Sequence, residues 1–436
     1  MDVTMQRSTV PSVRADGDPA VARRWRTAEV AVCMVVLVSF GVRYYLPYRV
    51  TLGCALMLVT APAWLRVLRS FRYGVTLAVL TLSALVFGAG LTIYAFSGHY
   101  VAPYSLFTDV SLVVFTFAGV GVVLWGRELL GSRVTAILFA LGLMIGAGLH
   151  GTSGDLNDWK GSWAIPVTVL VLSLTYGRRW SSMIAAAALA AVSVIFDTRA
   201  HAAILVLCVV AVAWQMRPAV PSRRVSSIWT AVILATLGSI TYYLGSAALV
   251  RGYLGAGAQA RSIEQISTTG SLILGGRPEI AATVALIRHE VWGFGFGVMP
   301  RTGDVLLAKE GMASINYDPN NGYVDRYMFG AGFELHSVVG DVWVRMGVVG
   351  LLLLLAVLVV LVKGLAARLA DRTATGLVLF LVFWSCWNFF FSPFLSSALA
   401  LTLAIGLAMP RSAPVTTGPS GRRRPAESHR VATELD

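Results

Sequence analysis

Residues 251–336 read RGYLGAGAQARSIEQISTTGSLILGGRPEIAATVALIRHEVWGFGFGVMPRTGDVLLAKEGMASINYDPNNGYVDRYMFGAGFELH, and residues 337–362 continue SVVGDVWVRMGVVGLLLLLAVLVVLV. The second stretch is an almost unbroken apolar run. It is long enough for a helix across a hydrocarbon core of about 30 Å. The first stretch is the only long interruption in a series of such runs. It carries seven Arg/Lys, eight Asp/Glu, two glycine-rich turns (Gly275-Gly276 and Gly293-Phe294-Gly295-Phe296-Gly297) and aromatic residues throughout. An insertion of this length inside a compact protein is usually functional or disordered. Its apolar content argues against disorder.

The whole chain shares the apolar character. Its 436 residues are 56% hydrophobic and only 13% charged, with a mean hydropathy of +0.72. Soluble domains carry about a quarter charged residues, so the bilayer is the expected solvent. The net charge of +13 fits positive-inside loops and contact with membrane lipids. It is not read as a nucleic-acid signal. All four cysteines fall in apolar runs, with neither metal-site spacing nor a disulfide framework. The first apolar run follows a polar arm without a cleavage-like site and reads as a retained helix.

The reading is an all-α polytopic membrane protein of about 12 transmembrane helices, with one large extracytoplasmic loop containing short amphipathic helices. The spans fall at 27–46, 50–66, 74–96, 105–126, 133–150, 162–177, 180–196, 200–216, 227–250, 337–362, 374–390 and 394–410. Residues 1–26 are a disordered basic cytoplasmic arm, 27–250 hold helices 1–9, 251–336 form the loop, 337–410 hold helices 10–12, and 411–436 are a disordered cytoplasmic tail. One set of alternate short loops holds thirteen Arg/Lys, against three (Arg49, Lys160, Arg199) in the other set. That asymmetry puts both termini in the cytoplasm and 251–336 on the outer face.

Polar groups beside apolar runs are costly and therefore informative. Arg199, in Asp197-Thr198-Arg199-Ala200-His201, is either a snorkelling arginine or a guanidinium for bidentate phosphate binding. Arg277 precedes Pro278-Glu279, the expected start of a helix to about Trp292 with an apolar stripe of Ile280, Val284, Ile287 and Val291. A cation there suits an anion site, although a solvated glycine turn explains it too. Arg288 and His289 sit at the far end of that helix. His289 is a ligand, a base or a cap. The Gly-x-Gly-x-Gly stretch allows close backbone approach to a ligand, but no βαβ unit surrounds it. Asn316-Tyr317-Asp318-Pro319-Asn320-Asn321-Gly322-Tyr323 suits a sugar surface or a plain turn. His336 stands at the outer boundary, where a histidine can act as a general base. Asp341 and Arg345, four apart, are expected to pair on one helix face.

In order, these residues resemble the O-antigen ligase/O-antigen polymerase family of bacterial membrane glycosyltransferases. Thr198-Arg199 is similar to the family's Ser-Arg element. Gly276-Arg277, followed by Glu290-Val291-Trp292-Gly293-Phe294-Gly295, is similar to its "Gly-Arg … His-Pro-Leu-Gly-x-Gly" segment. His336 with Met346-Gly347-Val348-Val349-Gly350 is similar to its "His-Asn … Gly-x-x-Gly" segment. The departures are Ser337 in place of Asn, Glu290-Val291 in place of His-Pro, and Arg345 near the place of an acid. The resemblance spans about Arg199 to Leu361.

It implies transfer of a glycan from a polyprenyl-diphosphate carrier to a hydroxyl of a glycan, glycolipid or protein acceptor, at the outer face of the cytoplasmic membrane. No metal or other cofactor is implied. Arg199 and Arg277 would bind the diphosphate and His336 would be catalytic. Arg288, His289 and Tyr323 are secondary candidates. The competing reading is a secondary transporter or flippase for lipid-linked sugars, using Asp109, Arg43 and the Asp341/Arg345 pair. No internal repeat supports it. A non-catalytic scaffold would have no need of the ordered Arg, Arg, His set.

Overall fold

The computed structural model describes residues 19–44, 46, 50–149, 158–217, 227–253 and 255–412. Most of the arm (1–18), most of the tail (413–436), Arg49, Arg223 and Arg224 lie outside the described residues. Sixteen α-helices follow in chain order: α1 (Pro19–Val42), α2 (Leu52–Val59), α3 (Ala61–Val67), α4 (Gly74–Ala95), α5 (Pro103–Leu149), α6 (Ala164–Leu174), α7 (Arg179–Ile195), α8 (Arg199–Gln215), α9 (Ser227–Val250), α10 (Ala256–Thr269), α11 (Leu272–Gly276), α12 (Glu279–His289), α13 (Thr302–Ala313), α14 (Val338–Ala370), α15 (Gly376–Phe391) and α16 (Phe394–Ala408). Among the described residues there is no strand, only two isolated bridges, Phe71 with Arg411 and Val101 with Val298.

Among the described residues three helices are long and apolar enough to cross a membrane, α4, α5 and α14, or four if the bent pair 52–70 is one span. The apolar helices α7, α8, α15 and α16 are shorter than 18 residues. The expected span at 50–66 is not one rod, because α2 and the helical segment 61–70 meet at 72°. Pro62, in the first turn of α3, cannot donate to the preceding turn and ends it. Residues 19–26, expected in the disordered arm, belong to α1. Asp18-Pro19 carries the helix-start signal that explains this.

α5 reverses direction. Gly131 sits at φ 79°, ψ 163°. Phe115 and Phe139 both meet Phe40, with ring centroids 4.0 and 6.0 Å away. Along a straight helix those two residues would be about 36 Å apart. A left-handed glycine is the residue that permits the turn.

The long polar insertion folds. Its helices α12 and α13, with the segment 324–333, enclose a second apolar core of Ala282, Leu286, Ala308, Met312, Val324, Met328, Phe329 and Phe333. On α12 the face buried in this core is Ala282, Thr283 and Leu286. Val284, in the stripe expected to be apolar, is 41% exposed. Phe294, Trp343 and Val344 continue the core into the bundle.

The junction is the glycine-rich strap 293–297, and its expected role changes. Gly293, Gly295 and Gly297 all have positive φ (91°, 109°, 68°). The amides of Phe294 and Gly295 donate to the Val344 carbonyl of α14 (2.9 and 2.8 Å). The Phe296 amide donates to Thr92 Oγ1 of α4 (2.7 Å) and the Gly297 amide to Asp109 Oδ2 of α5 (3.0 Å). A Cβ at Gly295 would sit 2.5 Å from the Thr92 nitrogen, and one at Gly297 2.5 Å from the Leu106 nitrogen. These glycines admit the protein's own helices, not a ligand. α14 breaks in response: Gly347 (φ 56°, ψ −149°) lies against the Trp292 carbonyl, where any Cβ would collide.

The expected Asp341–Arg345 pair does not form. Arg345 Nε pairs with Asp109 Oδ1 at 2.6 Å. Toward Asp341 it donates only to the backbone carbonyl (2.9 Å). The Asp341 carboxylate faces two backbone amides instead, so tertiary contacts outcompete the i, i+4 spacing.

Gly295→Ala is therefore expected to lower the thermal unfolding midpoint of detergent-solubilised protein, through a positive-φ penalty of about 1–3 kcal/mol plus overpacking. Gly303→Ala, in α13 with open space around it, should be neutral or stabilising. Equal midpoints for the two variants would refute the strap's structural role.

Candidate functional site

Three separate stretches bring Arg277, Glu279, Tyr323 and His336 together. The turn Gly275-Gly276 delivers Arg277, which is partly buried at the C-terminal end of α11. Among the described residues no hydrogen bond or ion pair engages its guanidinium. Pro278 is the N-cap of α12 and Glu279 its first residue, buried. Glu279 therefore sits where a carboxylate complements the helix dipole.

The asparagine-rich turn places Tyr323. Asn321 Oδ1 accepts the amides of Tyr323 and Val324 (3.1 and 3.3 Å), and its Nδ2 donates to Tyr317 Oη (3.2 Å). Asn321 is thus spent on holding the turn rather than offered to a sugar. The Tyr323 hydroxyl donates to Glu279 Oε1, and its ring lies 5.5 Å from that of His336. Burial, then the Glu279 charge and hydrogen bond, push the Tyr323 phenol well above its ordinary range, while Arg277 acts in the opposite sense. The hydroxyl therefore keeps its proton and acts as a donor.

His336 is held in an uncommon backbone conformation, φ 52°. Two flanking contacts impose it. The Leu335 amide donates to Asp341 Oδ1 (2.8 Å), and Ser337 Oγ caps α14 by accepting from Gly340 N (2.9 Å). The other Asp341 oxygen accepts the Phe394 amide (2.8 Å) and ties this segment to α16. His336 Nδ1 lies 2.9 Å from the Glu334 carbonyl. A carbonyl only accepts, so Nδ1 carries the hydrogen and, in the neutral ring, Nε2 is the acceptor.

Arg199 stands one element away. Its Nε pairs with Asp197 Oδ1 (3.0 Å) and its Nη1 reaches Ser262 Oγ of α10 (3.4 Å). The Gly275 turn packs on Gln265, three residues further along α10, or about 4.5 Å along the axis. The structure thus sets Arg199 and the turn that precedes Arg277 against neighbouring turns of one helix. Asp197 also binds Arg261 (2.6 Å). Burial favours the neutral Asp197 carboxyl, but the hydrogen bonds and charges of Arg199 and Arg261 outweigh it and hold the group below the usual carboxylate range.

Arg288 and His289 are exposed at the opposite end of α12. Arg288 lies about 14 Å along the axis from Glu279, so neither joins the cluster. Sequence reasoning missed Glu279, which reads from the sequence only as a first-turn acid, and the buried contact of His99 Nε2 with Asp304 Oδ2 (3.1 Å). Neither carries a local signal, since each depends on a distant partner. Among the described residues no group of three His, Cys, Asp or Glu side chains is placed to hold a metal ion. No known family, curated protein or solved structure matches the chain.

Two outcomes test this architecture. Asp341→Asn replaces one acceptor with an amide that faces a backbone donor, and should destabilise by about 1.5–3 kcal/mol or more, read as a lower unfolding midpoint. The Asp197 link is present above the ordinary carboxylate range and is lost as pH falls through the depressed folded value. Proteolysis within α10 should therefore accelerate on acidification, and Asp197→Asn should be fast at every pH.

Proposed function

We propose that this chain is a membrane glycosyltransferase of the O-antigen ligase/polymerase type. It moves a glycan from a polyprenyl-diphosphate carrier to an acceptor hydroxyl at the outer face of the cytoplasmic membrane. The observation that carries the reading is the convergence of Arg277, whose guanidinium has no partner among the described residues, with the Tyr323–His336 pair. All three come from the segment whose sequence resembles that family. The resemblance supplies the carrier and the reaction, and the geometry supplies a cation beside a proton acceptor.

In this reading the chain spans the membrane about 12 times, with both termini cytoplasmic and the α10–α13 unit outside. The apolar helices and the arginine asymmetry support that arrangement. Arg277, with Arg199 of α8 reaching α10 at Ser262, faces the diphosphate. The acceptor oxygen attacks the anomeric carbon as the bond to the diphosphate oxygen breaks. The electron pair leaves on the diphosphate, where guanidinium charge stabilises it. The hydroxyl proton passes to His336 Nε2, the atom left free by the Glu334 carbonyl. The transporter reading draws less support, because its deep charges are engaged. Asp109 holds Arg345 and the Gly297 amide, Asp341 holds two backbone amides, and Arg43 donates to the Leu395 carbonyl.

Arg277→Ala should cut transfer about ten- to a hundredfold at normal abundance, and Arg277→Lys should restore it only in part because the planar fork is lost. His336→Ala should cost about 10²–10⁴-fold in rate with carrier binding retained. Substantial activity in His336→Gln would overturn the base assignment. In cells, a cysteine at exposed Ser314 should react with a membrane-impermeant thiol reagent before lysis. Labelling only after lysis would invert the topology.

A further inference from the structure

Glu279 has one oxygen without a partner. The residue is 5% exposed. Its Oε1 takes the Tyr323 hydroxyl, whereas its Oε2 is buried with no hydrogen-bond partner among the described residues. A buried carboxylate oxygen left unsatisfied is costly and calls for a donor. The donor must be neutral or positive and must carry an N–H or O–H.

The surroundings narrow its chemistry. Arg277, a cation with no ion-pair or hydrogen-bond partner for its guanidinium among the described residues, lies two residues before Glu279, and two residues of chain span at most about 7 Å. A ligand whose phosphate meets Arg277 therefore presents its next group near Glu279. The rings around the carboxylate add a second feature. Tyr323 lies 6.1 Å from Tyr327 and 5.5 Å from His336, and Tyr327 is 60% exposed. Aromatic faces beside a hydrogen-bond acceptor suit a polyhydroxylated ring, which stacks through its C–H face and donates from its edge.

We propose that Glu279 binds the sugar next to the diphosphate, with Oε2 accepting a hydrogen bond from a hydroxyl or amide of that ring. Tyr323 holds the other oxygen and fixes the direction of the free one. Oε2 is shielded from solvent, so the sugar enters by displacing a neighbouring side chain while Tyr323 keeps its hold on Oε1. Glu279 is thus a specificity residue for the donor. It distinguishes a glycan-bearing carrier from a bare one. This assignment rests on the glycosyltransferase reading above.

The test uses the full-length protein in nanodiscs and two probes: sugar-free polyprenyl diphosphate, and the lipid-linked glycan extracted from the host cells. Glu279→Gln keeps shape but turns an acceptor into a mixed donor–acceptor. It should bind the bare carrier as wild type does and the glycan-bearing carrier about ten- to a hundredfold more weakly. Glu279→Asp preserves charge at the start of α12 and withdraws the carboxylate by one methylene. It should show the same selective loss, and it serves if the Gln variant fails to fold. Equal weakening of both probes in a folded variant, or no weakening of either, overturns the role of Glu279 while leaving the glycosyltransferase reading in place. A wild-type protein that binds neither probe overturns that reading, and the Glu279 assignment with it.

Discussion

The fold depends on where the backbone amides of residues 293–297 go. This strap runs between apolar helices, where an unpaired amide is expensive. Its hydrogen bonds go to three different helices: a carbonyl of α14, a hydroxyl of α4 and a carboxylate of α5. At three positions the strap approaches these helices more closely than a side chain would allow. Gly293, Gly295 and Gly297 supply that approach. The Asp109–Arg345 ion pair closes the same junction. Asp109 therefore satisfies one charge and one amide at once, which is how a buried carboxylate avoids an uncompensated cost.

The candidate site follows from this junction. The strap ties the C-terminal end of α12 to the first turns of α14, so the unit built on α12 and α13 is anchored to the bundle. Glu279 lies at the other end of α12. His336 immediately precedes α14. Asp341 then shapes the segment before α14 by binding the Leu335 amide, and joins it to α16 through the Phe394 amide. A small unit with its own apolar core is thereby held over the helix bundle with four polar side chains at one edge. Function, in the reading proposed here, uses the rigid parts for placement, and at that edge the Arg277 guanidinium, the Glu279 Oε2 atom and the His336 Nε2 atom have no hydrogen-bond partner among the described residues.

The sequence by itself determined the class of fold. Long apolar runs have few structural solutions, and helices satisfy their own backbone without help from neighbours. The break at Gly131 and the start of α12 at Pro278-Glu279 were also legible, because glycine and proline act through local sterics, whereas the bend before Pro62 was missed within a span expected to be continuous. So were Arg277, Tyr323 and His336, marked by polar chemistry in an apolar chain. Tertiary structure alone decided the partners. Asp341 and Arg345 have ideal helical spacing, yet each prefers a contact far away in sequence. The glycine-rich strap reads as a ligand loop and serves as a packing joint. Glu279 reads as a helix-dipole acid and becomes half of a buried pair with Tyr323. The physical reason is the same each time. Local spacing contributes a few tenths of a kcal/mol per pair, whereas a buried donor or charge left without a partner costs about 1–3 kcal/mol or more. The larger penalty is set by neighbours that only the folded chain supplies.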